Sequence, residues 1–227
     1  MTLPTIRFLG DAALLIEFGK RIDPEINARV LAAWQAIASL RLPGVRDVVP
    51  AYASVTVHID PALPEQDLLC ARLLALCEDL PFAGRPARRV DIPVCYESAF
   101  APDMDELCAY TGLTASEVVS RHSATDYRVF FLGFTPGFPY LGGLDSSLAM
   151  PRRETPRTRV DAGSVAIGGE QTGIYPSASP GGWRIIGCTP LSLFKHDRQP
   201  SCLLAPGDAL RFLPITGAEF SALSVSG

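Results

Sequence analysis

The chain has 227 residues, 48% of them hydrophobic and 19% charged, which is enough for one large or two small cored domains and excludes a wholly disordered chain. A net charge of −4 argues against nucleic acid as partner, because a binder would present a basic face. Pro at 20 and Gly at 19 are the unusual counts, and residues 133–190 hold 11 of the Gly and 7 of the Pro, so that stretch is built from turns and tight backbone.

Taken in chain order, the first half alternates strand and helix signals. Residues 6–18 read as a strand pair or one bent strand, broken at Gly10-Asp11. Asp23-Pro24 opens a helix as N-cap and first-turn proline, and apolar residues recur at helical spacing to about Leu40. Strands follow over 45–49 and 54–59. Pro64 starts a second helix closed by Pro81, and 89–96 is again a strand. Residues 1 to about 96 thus read β-α-β-β-α-β, the order of a ferredoxin-like split βαβ sandwich, and the α+β N-terminal domain is placed at 1–90. Residues 91–227 form the second domain, with a short helical insert at about 102–122. Within it, Thr114-Ala-Ser-Glu117 is a capping box. Residues 127–132 read as a strand. From Gly133 onward helices vanish, and short strands (164–167, 172–175, 183–186 and 209–212) separated by Gly, Pro and Ser indicate a small all-β barrel or sandwich.

Several chemistries are missing. No phosphate-cradling P-loop, dinucleotide fingerprint, serine nucleophile elbow or zinc-protease helix occurs. The six cysteines include no C-x-x-C pair, and His58, His122 and His196 are far apart, so no metal site is expected and the thiols should be reduced. No apolar run is long enough for an export signal or a membrane span, which points to the cytoplasm and away from membrane partners.

What remains is a set of turn-rich segments carrying polar and aromatic groups. Phe134, Phe138 and Tyr140 stand in a stretch too punctuated by Pro and Gly to be regular, where aromatics either plug the barrel or line a pocket. Arg152, Arg153, Arg157 and Arg159 supply planar forks for a carboxylate, phosphate or carbamate, or are simply solvated. Gln171 and Tyr175 can orient an amide. Gly168 and Gly169 would let a ligand or partner approach the backbone closely.

These segments resemble the KipI family, also described as allophanate hydrolase subunit 1 or as the B component of 5-oxoprolinase. The resemblance rests on His122-Ser123 with Tyr127, GFTPGFPYL at 133–141, PRTRV at 156–160, AGSVAI at 162–167, QTGIYP at 171–176 and SPGGW at 179–183. It implies an α+β N-terminal lobe followed by a cyclophilin-like β barrel. It also implies a chain that pairs with KipA-like (C) and LamB-like (A) components in an ATP-dependent complex opening a small lactam or amide. ATP is then used by the assembly, with no cofactor held by this chain alone. The alternative the family implies is an interaction module that inhibits a sensor histidine kinase. In the enzymatic reading His122 carries a proton, Arg157 and Arg159 hold an anion, Gln171 and Tyr175 orient the amide, and Phe138, Tyr140 and Trp183 exclude water. Two positions depart from the pattern: Asp161 stands where Pro is usual and Cys188 where Arg is usual.

Overall fold

The computed structural model describes residues 3–78, 80 and 87–225. The chain divides into two compact units, residues 1–86 and 87–227.

The first unit contains β1 (Thr5–Phe8), β2 (Ala13–Glu17), α1 (Pro24–Leu40), β3 (Val45–Pro50), β4 (Ser54–Ile59) and α2 (Gln66–Glu78). Residues 6–18 resolve as a hairpin with Gly10 in the left-handed region at its turn. The sheet order is β1-β2-β4-β3, antiparallel throughout. Alternate residues Leu14, Ile16, Val55, Val57 and Ile59 point to one face and form a core with Val30 and Ile37 of α1 and Leu69 and Leu73 of α2. The Asp23 carboxylate accepts hydrogen bonds from the N–H groups of Glu25 and Ile26, as the N-cap reading requires. Pro81, expected to close the second helix, lies outside the described residues.

The second unit contains β5 (Arg89–Cys95), α3 (Met104–Thr111), α4 (Ala115–Ala124), β6 (Tyr127–Leu132), β7 (Pro139–Gly142), β8 (Arg157–Val160), β9 (Ser164–Gly168), β10 (Gln171–Ile174), β11 (Ser179–Gly181), β12 (Arg184–Cys188), β13 (Ala209–Ile215) and α5 (Gly217–Val225). Seven strands close a barrel in the order β10-β7-β6-β13-β5-β12-β9, and β8 and β11 make a separate two-stranded flap. Inward residues such as Ile92, Val94, Val129, Ile167 and Phe212 form the barrel core, which α3 and α4 join through Leu107 and Val118. The capping box at the start of α4 is complete, with both reciprocal bonds present.

Three expectations are corrected. The strand over 89–96 does not complete the first sheet. As β5 it pairs in parallel with β13 over seven register positions, so the first unit runs β-β-α-β-β-α and the β1–β2 hairpin supplies its fourth strand. The loop expected around Tyr140 contains β7, which pairs with β6. Helices do not vanish after Gly133, since α5 follows Thr216, which forms a second T-x-x-E cap with Glu219.

Candidate functional site

On the outside of the barrel, Phe138, Val160, Ala166, Tyr175, Trp183 and Ile185 form their own buried cluster, with Tyr140 packed against it. Phe138 meets Tyr175 at 5.4 Å and Trp183 at 5.6 Å, both edge to face, the geometry that ring quadrupoles favour. Glycines make the floor flat. A Cβ on Gly168 would lie 2.7 Å from the Trp183 ring, and one on Gly181 would lie 2.4 Å from the Tyr175 hydroxyl. The open backbone at Gly168 therefore serves the indole of this chain rather than a ligand, and Gly169 is a turn residue at φ +66°. Burial raises the Tyr175 phenol, and the Trp183 N–H and the charge of Arg152 pull the other way.

The rim of this cluster is the 133–138 loop. Thr135 N–H donates to the Gly133 carbonyl at 2.7 Å, which closes a γ-turn centred on Phe134. Phe134 has φ +64°, a conformation that costs a bulky residue roughly 1–2 kcal/mol. The residue is 61% exposed, and its ring meets Phe138 and Tyr175 edge-on.

The arginines divide sharply. Arg157 grips Asp103 with two bonds of 2.8 and 2.7 Å, and Arg153 adds a third at 3.1 Å. Asp103 is buried and also accepts from the Ile185 N–H at 2.7 Å. Burial alone would raise its carboxyl. The bonds from Arg157 and Ile185 and the two positive charges outweigh that and hold it below its ordinary value. Glu106 extends the network to Arg184 and Arg153. Arg159 pairs with Asp161 at 2.8 Å, with both side chains about three-quarters exposed. Arg152 lies over the Trp183 ring at 5.6 Å, and no carboxylate pairs with it among the described residues.

The sequence-derived set is thus partly assembled. Phe138, Tyr140, Tyr175 and Trp183 come together, and Arg157 stands close enough for its charge to act on Tyr175. Both terminal nitrogens of Arg157, expected to hold an anion, bond to Asp103, and Arg159 is in a surface pair. Gln171 begins β10 opposite Gly168, half-buried. His122 is elsewhere. It is fully buried, stacks on Phe212 at 4.4 Å, and has Nδ1 at 2.8 Å from the Tyr96 hydroxyl and Nε2 at 3.0 Å from the Thr172 hydroxyl. Burial lowers its pKa to about 3, so it is neutral at pH 7. Both nitrogens of the ring expected to carry a proton are thus hydrogen-bonded inside the barrel. Asp103 escapes a sequence reading because it sits 54 residues from its main partner and looks like an ordinary helix lead-in. Arg152 is visible there only as one of four. The two departures from the family pattern are neighbours: the charge of Asp161 adds to burial in raising the Cys188 thiol.

Residues 4–204 match the family described as carboxyltransferase domain, subdomain C and D. The chain is 39% identical to the B subunit of 5-oxoprolinase from Bacillus subtilis (strain 168), covering 96% of this chain and 97% of that one. It superposes on the crystal structure of TTHA0988 with a TM-score of 0.79 and 39% identity, covering 94% of this chain but only 41% of that longer one. The urea carboxylase of Kluyveromyces lactis shares the fold, with a TM-score of 0.79 at 22% identity over 96% of this chain and 22% of that one. No helix of the described residues is long and apolar enough to cross a membrane.

Proposed function

The chain belongs to the carboxyltransferase-domain family, subdomains C and D, and on that premise we propose that it is the B-type subunit of a cytoplasmic, ATP-dependent 5-oxoprolinase. It acts with KipA-like and LamB-like subunits on a small lactam bearing a carboxylate. ATP, used by the assembled complex, supplies the drive for ring opening. The observation that carries the reading is the aromatic cluster with one uncommitted guanidinium at its edge. Arg152, held on the Trp183 face, offers its N–H fork to the substrate carboxylate, while Phe138, Tyr140 and Tyr175 exclude water from one side. Arg153 and Arg157 take no part in this contact, since Asp103 holds them in place.

Reconstituting the three subunits and measuring ATP-dependent glutamate release from 5-oxoproline tests the proposal. Arg152→Gln is expected to raise KM for 5-oxoproline about 10- to 100-fold, the range for one charge-assisted hydrogen bond. A complex that is inactive with this chain, yet active when the B. subtilis relative replaces it, would sink the assignment.

The exposed, strained Phe134 favours a protein contact at the same edge. Strained backbone clusters at functional sites, and aromatic anchors are frequent hot spots of interfaces. Phe134→Gly is expected to leave the chain as stable or about 1 kcal/mol more stable in urea titrations, because glycine accepts the positive φ. The same variant should bind the KipA-like partner at least 10-fold more weakly by calorimetry. Unchanged affinity would place the interface elsewhere. Tight, Phe134-dependent binding of the chain to a sensor kinase, in the absence of the other subunits, would instead support the inhibitory reading.

A further inference from the structure

Two thiols of the barrel face each other. β5 and β12 run antiparallel, and Cys95 stands directly opposite Cys188. Residues opposed in this way project to the same face of the sheet, with Cα atoms about 4.5–5.5 Å apart. A disulfide asks for Cα atoms about 4.4–6.8 Å apart and Cβ atoms about 3.5–4.5 Å apart, so the Cα spacing suits one and the Cβ atoms have to close by up to about 1 Å. The shared face is the outer one. Val94, next to Cys95, points into the barrel core, as does Val165 opposite Gly187, so their neighbours Cys95 and Cys188 point away from it. Cys95 is fully buried there and Cys188 is partly exposed. The position matters mechanically. β5 and β13 share seven register positions, whereas β5 and β12 share this one. No other cysteines stand opposed in the registers of the described strands.

We propose that Cys95 and Cys188 are an oxidation site, which a peroxide converts to a cross-strand disulfide stapling β5 to β12. Cys188 Sγ, reached from solvent, attacks one peroxide oxygen as the O–O bond breaks. The sulfur becomes a sulfenic acid, and the first water leaves with the thiol proton. Cys95 Sγ then displaces that oxygen, the S–S bond forms, and the second water carries off the Cys95 proton. Two thiols are oxidised by two electrons and one peroxide is reduced to two waters. Burial raises the Cys95 thiol and pushes the Cys188 thiol up to about 11, so the reaction is slow at neutral pH and quickens as pH rises. The bond closes a long loop, so it stabilises chiefly by restricting the unfolded chain.

The purified full chain is treated with hydrogen peroxide at pH 8.5, then digested without reduction. The expected result is a peptide pair joined through Cys95 and Cys188, loss of two hydrogens in the intact mass, and a Tm higher by roughly 10 °C that reverts with dithiothreitol. Cys188→Ser should show neither the link nor the Tm shift. The proposal is overturned by sulfinic or sulfonic acid on Cys188 without a link, by both thiols remaining free after prolonged exposure, or by a link that joins other cysteines.

Discussion

Asp103→Ala is expected to cost the barrel unit about 3 kcal/mol, read as a lower urea midpoint with an unchanged slope. The carboxylate is buried, and three guanidinium bonds and one backbone N–H converge on it. Removing one partner of a buried charge pair costs roughly 3–5 kcal/mol, because the remaining charge has lost its counter-ion but stays away from water. The lower end applies, since Arg153 and Arg157 keep about a quarter of their side-chain surface and can turn toward solvent. The Ile185 N–H has no such escape and adds its own unsatisfied donor. A cycle with Arg157→Ala separates the two parts: the double variant should be less destabilised than the sum of the single ones. Additive losses would mean that the pair is incidental. Because Asp103 titrates below its ordinary value when folded, its contribution is present above the unfolded carboxyl pKa and fades as pH falls below it.

Acid should also act through His122, over a different window. In the unfolded chain its imidazole takes a proton near pH 6.5, and in the folded barrel only near 3. Between those values the unfolded state binds more protons, so stability falls as pH falls. Above pH 6.5 both states are neutral and the term vanishes. The full span corresponds to on the order of 5 kcal/mol. His122→Phe keeps the stack on Phe212 and removes the titration. At pH 7.5 it should be less stable than the parent, since the Tyr96 hydroxyl loses its partner. Its stability should then fall less than that of the parent from pH 6.5 to 4.5. Proton NMR of the parent gives a second readout: the His122 ring signals should not move between pH 8 and 5. A midpoint near 6.5, or equal slopes in the two proteins, contradicts the buried neutral ring.

Both residues show where sequence reading reaches its limit. Local chemistry is legible wherever a bond closes within one turn. Asp23-Pro24, the Thr114–Glu117 box and the alternation over 54–59 each fall where their residue types and spacing place them. The Gly and Pro density over 133–190 does mark tight backbone, and the aromatics written into it do converge. What the aromatics face, and which arginine remains uncommitted, is settled by residues far away in the chain. Nothing near Arg157 and Arg153 in the chain tells that both meet Asp103, at the start of α3. Nothing near His122 in the chain tells that residues of β10 and β13 pack against its ring. The strand at 89–95 fits either unit by pattern, and it joins the barrel because β13, about 120 residues later, offers seven paired positions. Periodicity and capping reflect interactions between neighbours in sequence, so the amino-acid order alone determines them. Charge neutralisation, burial and strand partnership depend on which distant groups arrive, and that only the tertiary structure decides.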